Sequence, residues 1–598
     1  MRRMLESICG LCARASFLAV LASMLGLLGG PAALRAQATD VIRGKVTTPE
    51  GLALPGVRVT ATSIPGNVTR EARTNRQGSY QIAFPGGPGD YIMGFALIGY
   101  NFRQFEIKRL ADEDVLVADA KLSVVQLDTV SIVASNQQRV RRGSQAPDVG
   151  GTERQVNSLN LPPELQGNLA ALAASLPGVL LLPGLDGAPD GFSVFGLGAD
   201  QNSITLNGMQ FGANGLPRDA NISSSLSTSP FDPSRGGFSG GNLNIRSGSG
   251  SNFRSRGMSL VLNTPQLEWT DRAANALGTK YTHVSAGGMM SGPISINRAF
   301  YNVSYEATRD SRDNQTLLST SGLGLATAGV ATDSVTRFLN ILSDRGVPTG
   351  GRFRSDRVSD RGSIFGSLDF SPPTWGSGHA YNLTFSGNWG RQSPVGGGAT
   401  QLASASGDKT NWGGGLQARH SGYLGLILSE TQLGLNVSRD YGDPYLELPS
   451  GRVRVNSALS DGASGVQNLT FGGNQSLSSS ARSTQARFQN TLSWFDDANK
   501  HRIKFSTELG YAGSAQDQSA NLLGTFVFNS LADLESGVPE SFTRTLTARR
   551  RSTGQMNMGL SLGDSYRRSS DVQFQYGIRL DGAHFTATPA FNPKVEST

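Results

Sequence analysis

The second half of this chain alternates apolar and polar residues with the two-residue period of a β-strand. Tyr301, Val303, Tyr305 and Ala307 interleave with Asn302, Ser304, Glu306 and Thr308. Tyr381, Leu383, Phe385 and Trp389 interleave with Asn382, Thr384, Ser386 and Asn388. Phe488, Leu492 and Trp494 alternate with Arg487, Gln489, Thr491 and Ser493, and Ile503, Phe505, Leu509 and Tyr511 with Arg502, Lys504, Ser506 and Glu508. Met556, Met558, Leu560 and Leu562, then Val572, Phe574, Tyr576, Ile578 and Leu580, continue the pattern, with weaker runs at 257–263 and 412–420. One apolar strand face is common to any half-buried sheet, so the connections narrow the choice. Short turns at 496–500 and 563–570 contrast with long loops at 309–360, 440–480 and 512–540. Membrane barrels combine short periplasmic turns with long external loops, and their strands take roughly 9–11 residues. Tyr301, Tyr381, Trp389 and Trp494 lie near strand ends, where interfacial aromatic girdles form. The pattern predicts a transmembrane β-barrel from about Gly257 onward, apolar side chains toward lipid and polar ones toward the lumen.

Composition agrees with strands that are apolar on one face only. Hydrophobic residues make up 38% of the 598 residues, and glycine is abundant at 75. No segment has the roughly 18–20 uncharged apolar residues of a transmembrane helix. In lipid only helices and closed barrels satisfy every backbone group, so a membrane-spanning reading requires the barrel.

The first 38 residues read as a secretory signal. Arg2, Arg3 and Arg14 form a positive region, Ala15 to Leu28 is an uncharged apolar core, and Ala36-Gln37-Ala38 offers a small-x-small cleavage site. The chain's two cysteines, Cys9 and Cys12, both lie in this segment. The mature chain is therefore expected to have neither disulfides nor thiolate chemistry. His283, His379, His420, His501 and His584 are scattered, and none has metal-ligand spacing, so no metal or other cofactor is expected. The net charge of +7 is modest and no basic run is interleaved with aromatics, which gives no indication of nucleic acid. Arg139, Arg141 and Arg142 form the densest basic cluster and read as a solvated linker.

Between 40 and 122, short β-prone runs at 41–47, 57–62, 80–84, 90–96 and 102–108 are punctuated by Gly, Pro and Asn. That spacing predicts a small β-sandwich. Gly44-x-Val46, Gly51, Leu54-Pro55-Gly56-Val57-x-Val59, Thr74, Gly78-x-Tyr80 and Gly99-Tyr100 resemble the carboxypeptidase regulatory-like domain. The resemblance implies a sandwich with a carbohydrate-binding-like fold. Peptidase activity does not follow, because zinc ligands and a nucleophile constellation are both missing.

A β-prone run follows: Leu127, Asp128, Thr129, Val130, Ser131, Ile132 and Val133. By itself it reads either as a last sandwich strand or as an extended segment that adds to a partner's sheet. It resembles the TonB box of outer-membrane receptors. Further on, Leu165, Leu169, Leu172 and Leu176 have helical spacing and lead to Pro177-Gly178-Val179. Ser203-Ile204-Thr205-Leu206 runs into the tight turn Asn207-Gly208. Gly236-Gly237-Phe238-Ser239-Gly240-Gly241 precedes the β-prone Asn242-Leu243-Asn244-Ile245. This order is similar to the plug of TonB-dependent receptors, with Asn207 where that family usually has Asp. The glycine-rich run lacks the lysine of a phosphate loop and enters a strand, not a helix.

Ser291-Gly292-Pro293-Ile294, Ala299-Phe300-Tyr301 and Tyr305-Glu306 resemble a barrel hairpin of the Oar-like group, TonB-dependent receptors that carry this N-terminal sandwich. The resemblance implies a mainly β chain with five parts. These are a signal (1–38), the sandwich (39–123), a box-like segment and linker (124–156), a small α+β plug (157–256) and a barrel (257–598). The alternation supports about eleven strands, against about 22 in the largest plugged transporters. A further strand is expected where the sequence stops at Phe591-Asn592-Pro593-Lys594. The barrel therefore reads as about half of such a structure, truncated or a fragment.

The resemblance implies an outer-membrane receptor for energy-coupled uptake, without covalent chemistry. Its partners would be outer-membrane lipid and an inner-membrane TonB-type complex engaging Leu127 to Val133. The substrate would be a scarce iron chelate, cobalamin, oligosaccharide or peptide, with no contacting residue identified. The alternative is an adhesin or carbohydrate- or matrix-binding protein that does not transport. Val335, Phe338, Leu339 and Leu342 predict a short amphipathic helix in the 309–360 loop, either a folded external loop or a substrate lid.

Overall fold

The computed structural model describes residues 39–64, 66–85, 87–109, 115–124, 153–156, 167–176, 178–182, 190–211, 215–227, 241–248, 251–267, 281–349, 356–371, 379–424, 427–459, 464–477, 479–496, 500–517, 520–568 and 572–587.

Two packed sheets form the N-terminal unit. One contains Ser79–Pro85, Thr39–Thr47 and the short strands Val115–Val117 and Ala120–Lys121. The other runs Thr69–Arg73, Arg58–Ser63, Asp90–Ala96 and Arg103–Lys108. Alternate residues of each strand point between the sheets, so Ile42, Val46, Ile82 and Phe84 meet Val59, Ala61, Tyr91, Met93 and Phe95 in one core. Val57, Val59 and Ala61 share the buried face, as their spacing predicts. Thr69–Arg73 was not among the predicted strands. Its sequence is polar and charged (TREAR) and offers the core only Ala72, so it lacks the apolar alternation of its neighbours.

A small α+β unit comes next. Its five-stranded sheet has the order Met209–Gln210, Ser203–Leu206, Asn242–Ser247, Ile222–Ser227 and Glu153–Val156. The predicted helix is shorter than its leucine spacing suggested. It spans Leu169–Ala174, because Asn168 caps it by accepting hydrogen bonds from the amides of Ala170 and Ala171. Leu165 lies outside the described residues. Asn207 and Gly208 both adopt positive φ, 54° and 90°, as a two-residue hairpin turn between right-twisted strands requires.

Eleven strands then form one antiparallel sheet in strict sequence neighbour order: Ser255–Asn263, Tyr281–Ser295, Ala299–Asp313, Asp356–Phe370, Ala380–Val395, Gly407–Leu424, Ile427–Pro444, Ser480–Phe495, His501–Asp517, Arg550–Arg567 and Gln573–Phe585. Among the described residues, the first and last strands do not pair with each other. The burial pattern is that of a soluble sheet turned inside out. Inner-face Asn302, Ser304, Ser367, Thr384 and Gln432 are buried, whereas Met258, Leu260, Ile364, Leu416, Leu435, Met558 and Leu562 are exposed on the outer face. Water would penalise that apolar face at roughly 25 cal/mol per Å²; the hydrocarbon of a bilayer does not. The aromatic pairs Phe370–Tyr381 and Tyr566–Phe574 lie at the short-turn end, and Trp389 faces Trp412 farther along the wall.

The strands are longer than predicted and the loops correspondingly shorter. The 309–360 loop contracts to 314–355, because the strand pair continues through charged partners such as Arg309 and Asp360, 2.6 Å apart. Likewise the 440–480 loop begins after Pro444, the 512–540 loop runs from 518 to 549, and the 563–570 turn narrows to 568–572. The 496–500 turn is as predicted.

At the long-loop end the loops fold together. A four-stranded sheet, Ser464–Gly472, Ser450–Ala458, Thr525–Phe528 and Ser541–Thr543, packs with helices Gly322–Thr327, Thr332–Asp344 and Leu531–Ser536. Val335, Phe338 and Leu342 of the predicted amphipathic helix are buried there against Val453, Leu469, Phe471 and Leu534, with Leu339 partly buried at the margin. That helix therefore belongs to a folded external loop.

Candidate functional site on the inner barrel wall

The α+β unit sits against the inner face of the eleven-stranded sheet, and its hairpin tip is the closest point of attachment. The Asn207 carbonyl accepts hydrogen bonds from Arg419 Nη2 at 2.9 Å and Gln432 Nε2 at 3.3 Å. The Asn207 side-chain Nδ2 donates to Thr384 Oγ1 at 3.3 Å, while its Oδ1 accepts from the Ser247 amide at 2.9 Å. An aspartate at this position could not make that donation. Next to the tip, Met209 nests over Gly434; a Cβ there would approach its Cε to 2.9 Å. Arg487 Nη2 donates to Gln210 Oε1 at 3.0 Å.

A second attachment lies on the earlier strands. Glu306 accepts from the Arg218 amide at 2.9 Å and pairs with its guanidinium at 3.4 Å, and Ser285 accepts from Arg218 Nη2 at 3.1 Å. Ser259 donates to Asp219 at 2.7 Å. The polar contacts are dispersed over seven strands, and besides Met209 over Gly434 there is a further apolar contact. Phe365 points inward from Asp356–Phe370 and is fully buried in the unit's own core beside Leu169, Leu172 and Phe192.

The neutral hydrogen bonds of this boundary have a net value of only about 0.5–1.5 kcal/mol each, and those made by Arg218, Arg419 and Arg487 about 1.5–3 kcal/mol, because water replaces them when the surfaces separate. Asn302, Ser367 and Gln417 also bury polar side-chain atoms with no protein partner on the same wall. The described residues contain no group of three or more His, Cys, Asp or Glu able to hold a metal.

Sequence reading pointed to the Asn207-Gly208 turn but not to Arg419, Gln432, Glu306 or Phe365 as its counterparts. Phe365 left a signal: the apolar doublet Ile364-Phe365 breaks the alternation, so one member has to face inward. Arg419 and Gln432 left none, since a polar inner-face residue is the rule in such strands. The box-like segment Leu127, Asp128, Thr129, Val130, Ser131, Ile132 and Val133 lies outside the described residues, as do Gly236 to Gly240.

Family models match in two places: a carboxypeptidase regulatory-like domain at residues 41–123 and an outer membrane beta barrel domain at residues 428–590. The chain is thus an outer-membrane β-barrel protein. It carries a carboxypeptidase regulatory-like domain ahead of the barrel, and the short turns that this domain approaches are the periplasmic ones. No curated protein matches the chain. Among solved structures, the outer membrane transporter YddB from Escherichia coli is 14% identical, with a TM-score of 0.48, covering 72% of this chain and 56% of its own. The siderophore receptor PirA from Acinetobacter baumannii is 12% identical, with a TM-score of 0.44 and coverage of 73% and 57%. The ferric enterobactin receptor PfeA from Pseudomonas aeruginosa is 14% identical, with a TM-score of 0.43 and coverage of 74% and 59%. The chain therefore spans less than two thirds of the length of each. Similarities of this size mark neighbours without defining a shared fold.

Proposed function

We propose that the protein is a gated outer-membrane receptor that imports a scarce solute with energy supplied from the inner membrane. The observation that carries this reading is the non-covalent seating of a folded unit on a polar barrel wall through Asn207, Arg419 and Gln432. An open pore has no need of such a unit, and a barrel stabilised only by filling would favour an apolar boundary. In this reading the folded loops outside and the outer surface of the plug receive the solute. An inner-membrane TonB-type protein pairs with Leu127 to Val133 and pulls. The pull reaches the plug through Glu153–Val156, the edge strand of its sheet nearest in sequence to the pulled segment, which can unzip without breaking other pairings. Transport of this kind moves the solute and breaks no covalent bond, so no catalytic residue is assigned. An iron chelate, cobalamin, an oligosaccharide and a peptide all remain within the reading.

Deleting residues 127–133 from the full-length protein tests it. The variant is expected to assemble in the outer membrane, keep surface binding of its solute, and lose uptake and capture of a purified periplasmic TonB domain. Solute binding without uptake in the intact protein, unchanged by the deletion, would replace this reading with that of an adhesin.

A further inference from the structure

The N-terminal sandwich is seated inside the periplasmic rim of the barrel, not beside it. Thr69 donates its amide to Asn297 Oδ1 at 3.2 Å, in the turn joining Tyr281–Ser295 to Ala299–Asp313. Asn252, just before the first barrel strand, clamps the same corner: its Nδ2 donates to Asn297 Oδ1 at 2.7 Å and to the Asn67 carbonyl at 3.0 Å. Arg70 donates to Ser371 Oγ at the next turn. Arg43 stacks over Phe495 with 4.7 Å to the ring centroid, and Val41 packs with Tyr423 and Leu428. The sandwich thus touches four successive periplasmic hairpins. It also covers inward-facing side chains: Phe300 is buried in the sandwich's own core cluster. A solute that has passed the plug meets a second folded obstacle.

The two obstacles share one polar chain along the wall. Asn207 Nδ2 donates to Thr384 Oγ1, Thr384 Oγ1 donates to Asn382 Oδ1 at 2.9 Å, and Asn382 Nδ2 donates to Asp369 Oδ1 at 2.7 Å. The charge of Asp369 in turn acts on Arg70. Arg70 is held at a cost. Burial pushes its guanidinium down to about 10 against the opposing pull of Tyr91 and Asp369, and its Nε is buried without a hydrogen-bond partner. The covalent order supports the same conclusion. Residues 127–133 lie between the sandwich, which ends near Leu122, and the plug edge strand Glu153–Val156, so tension applied there loads both at once.

We infer that the carboxypeptidase regulatory-like sandwich is an exit gate, seated in the periplasmic mouth beneath the plug latch and withdrawn by the same pull that loosens the plug. The inference rests on the receptor reading for its energy source, but the seat itself does not depend on that reading.

Residues 13–598 contain no cysteine, so a single Ser371→Cys reports only on this seat. The full-length protein is kept in its outer membrane, and a membrane-impermeant maleimide is admitted to the periplasm. With cells de-energised by a protonophore, labelling is expected to be slower by about tenfold or more than in Ser371→Cys combined with Arg70→Gln, or with residues 41–123 deleted. Energised cells are expected to label faster, and deleting residues 127–133 to abolish that gain. Equal labelling with and without the sandwich overturns the inference, as does a site that stays protected in energised cells whose uptake depends on 127–133. If energisation speeds labelling even without 127–133, the gate stands and the proposed partner contact fails.

Discussion

The carbonyl oxygen of Asn207 accepts a hydrogen bond from Arg419 Nη2 at 2.9 Å, across the boundary between the α+β unit and the barrel wall. Both residues are buried, so the bond is charge-assisted and shielded from water. Replacing Arg419 by Ala leaves that carbonyl with Gln432 alone and is expected to weaken the latch by about 1.5–3 kcal/mol. Amide hydrogen exchange in residues 203–210 should accelerate while the barrel strands remain protected. Unchanged exchange there would show that the latch holds nothing.

Leu435 and Asn436 are neighbours in Ile427–Pro444, yet they face lipid and lumen respectively. Leu435→Arg places a charge in hydrocarbon and is expected to cost about 2–4 kcal/mol near the midplane. Asn436→Arg should cost far less. Refolding of the two full-length variants into phospholipid bilayers, followed by denaturant titration, compares them. Equal losses would contradict the assigned facing.

Phe338 is fully buried in the external loop assembly, with its ring 5.6 Å from that of Phe471. Phe338→Ala is expected to destabilise this assembly by about 3–5 kcal/mol. Protease added outside the cell should then cut within 314–355, leaving the membrane-embedded strands intact. A resistant loop would mean that the helix is held by something other than this core.

Tyr91 donates to Asp40 at 2.6 Å, and Tyr80 donates to the Ala118 carbonyl at 2.6 Å. Burial pushes both phenols above their ordinary value, with the charge of Asp40 adding to the effect at Tyr91 and that of Asp119 at Tyr80. Above pH of about 10 the unfolded chain gives up these protons and the folded sandwich keeps them. The folded state then binds more protons, and stability must fall as pH rises. Hydrogen exchange in Ser79–Pro85 and Asp90–Ala96 is expected to be flat from neutral pH to about 9, after correction for intrinsic rates, and to lose protection beyond 10. Tyr91→Phe should flatten part of that loss.

How far the sequence reached can be judged from particular residues. Two-residue alternation is a local property, enforced by the pleat, so Tyr301 to Thr308 already declared a strand and its two faces. The Asn207-Gly208 turn was equally legible, because the left-handed conformation needed there suits few residues. Thr69–Arg73 was missed because Ala72 is the one apolar side chain it turns to the core, too little to show a two-residue period. Helix 169–174 was overextended because its leucine period continues past the cap at Asn168.

Local chemistry therefore determined the strands, their facing, the sandwich, the hairpin tip and the alternation of short turns with long loops. Tertiary structure alone decided what meets across the barrel. Arg419 lies 212 positions from Asn207, and Arg70 lies 301 from Ser371. No periodicity carries such pairings, because an inner-face polar residue has the same local pattern whether it faces water, the plug or the sandwich. Only closing the chain over those distances chooses among them, because the pairing is a property of the folded backbone and not of any local pattern.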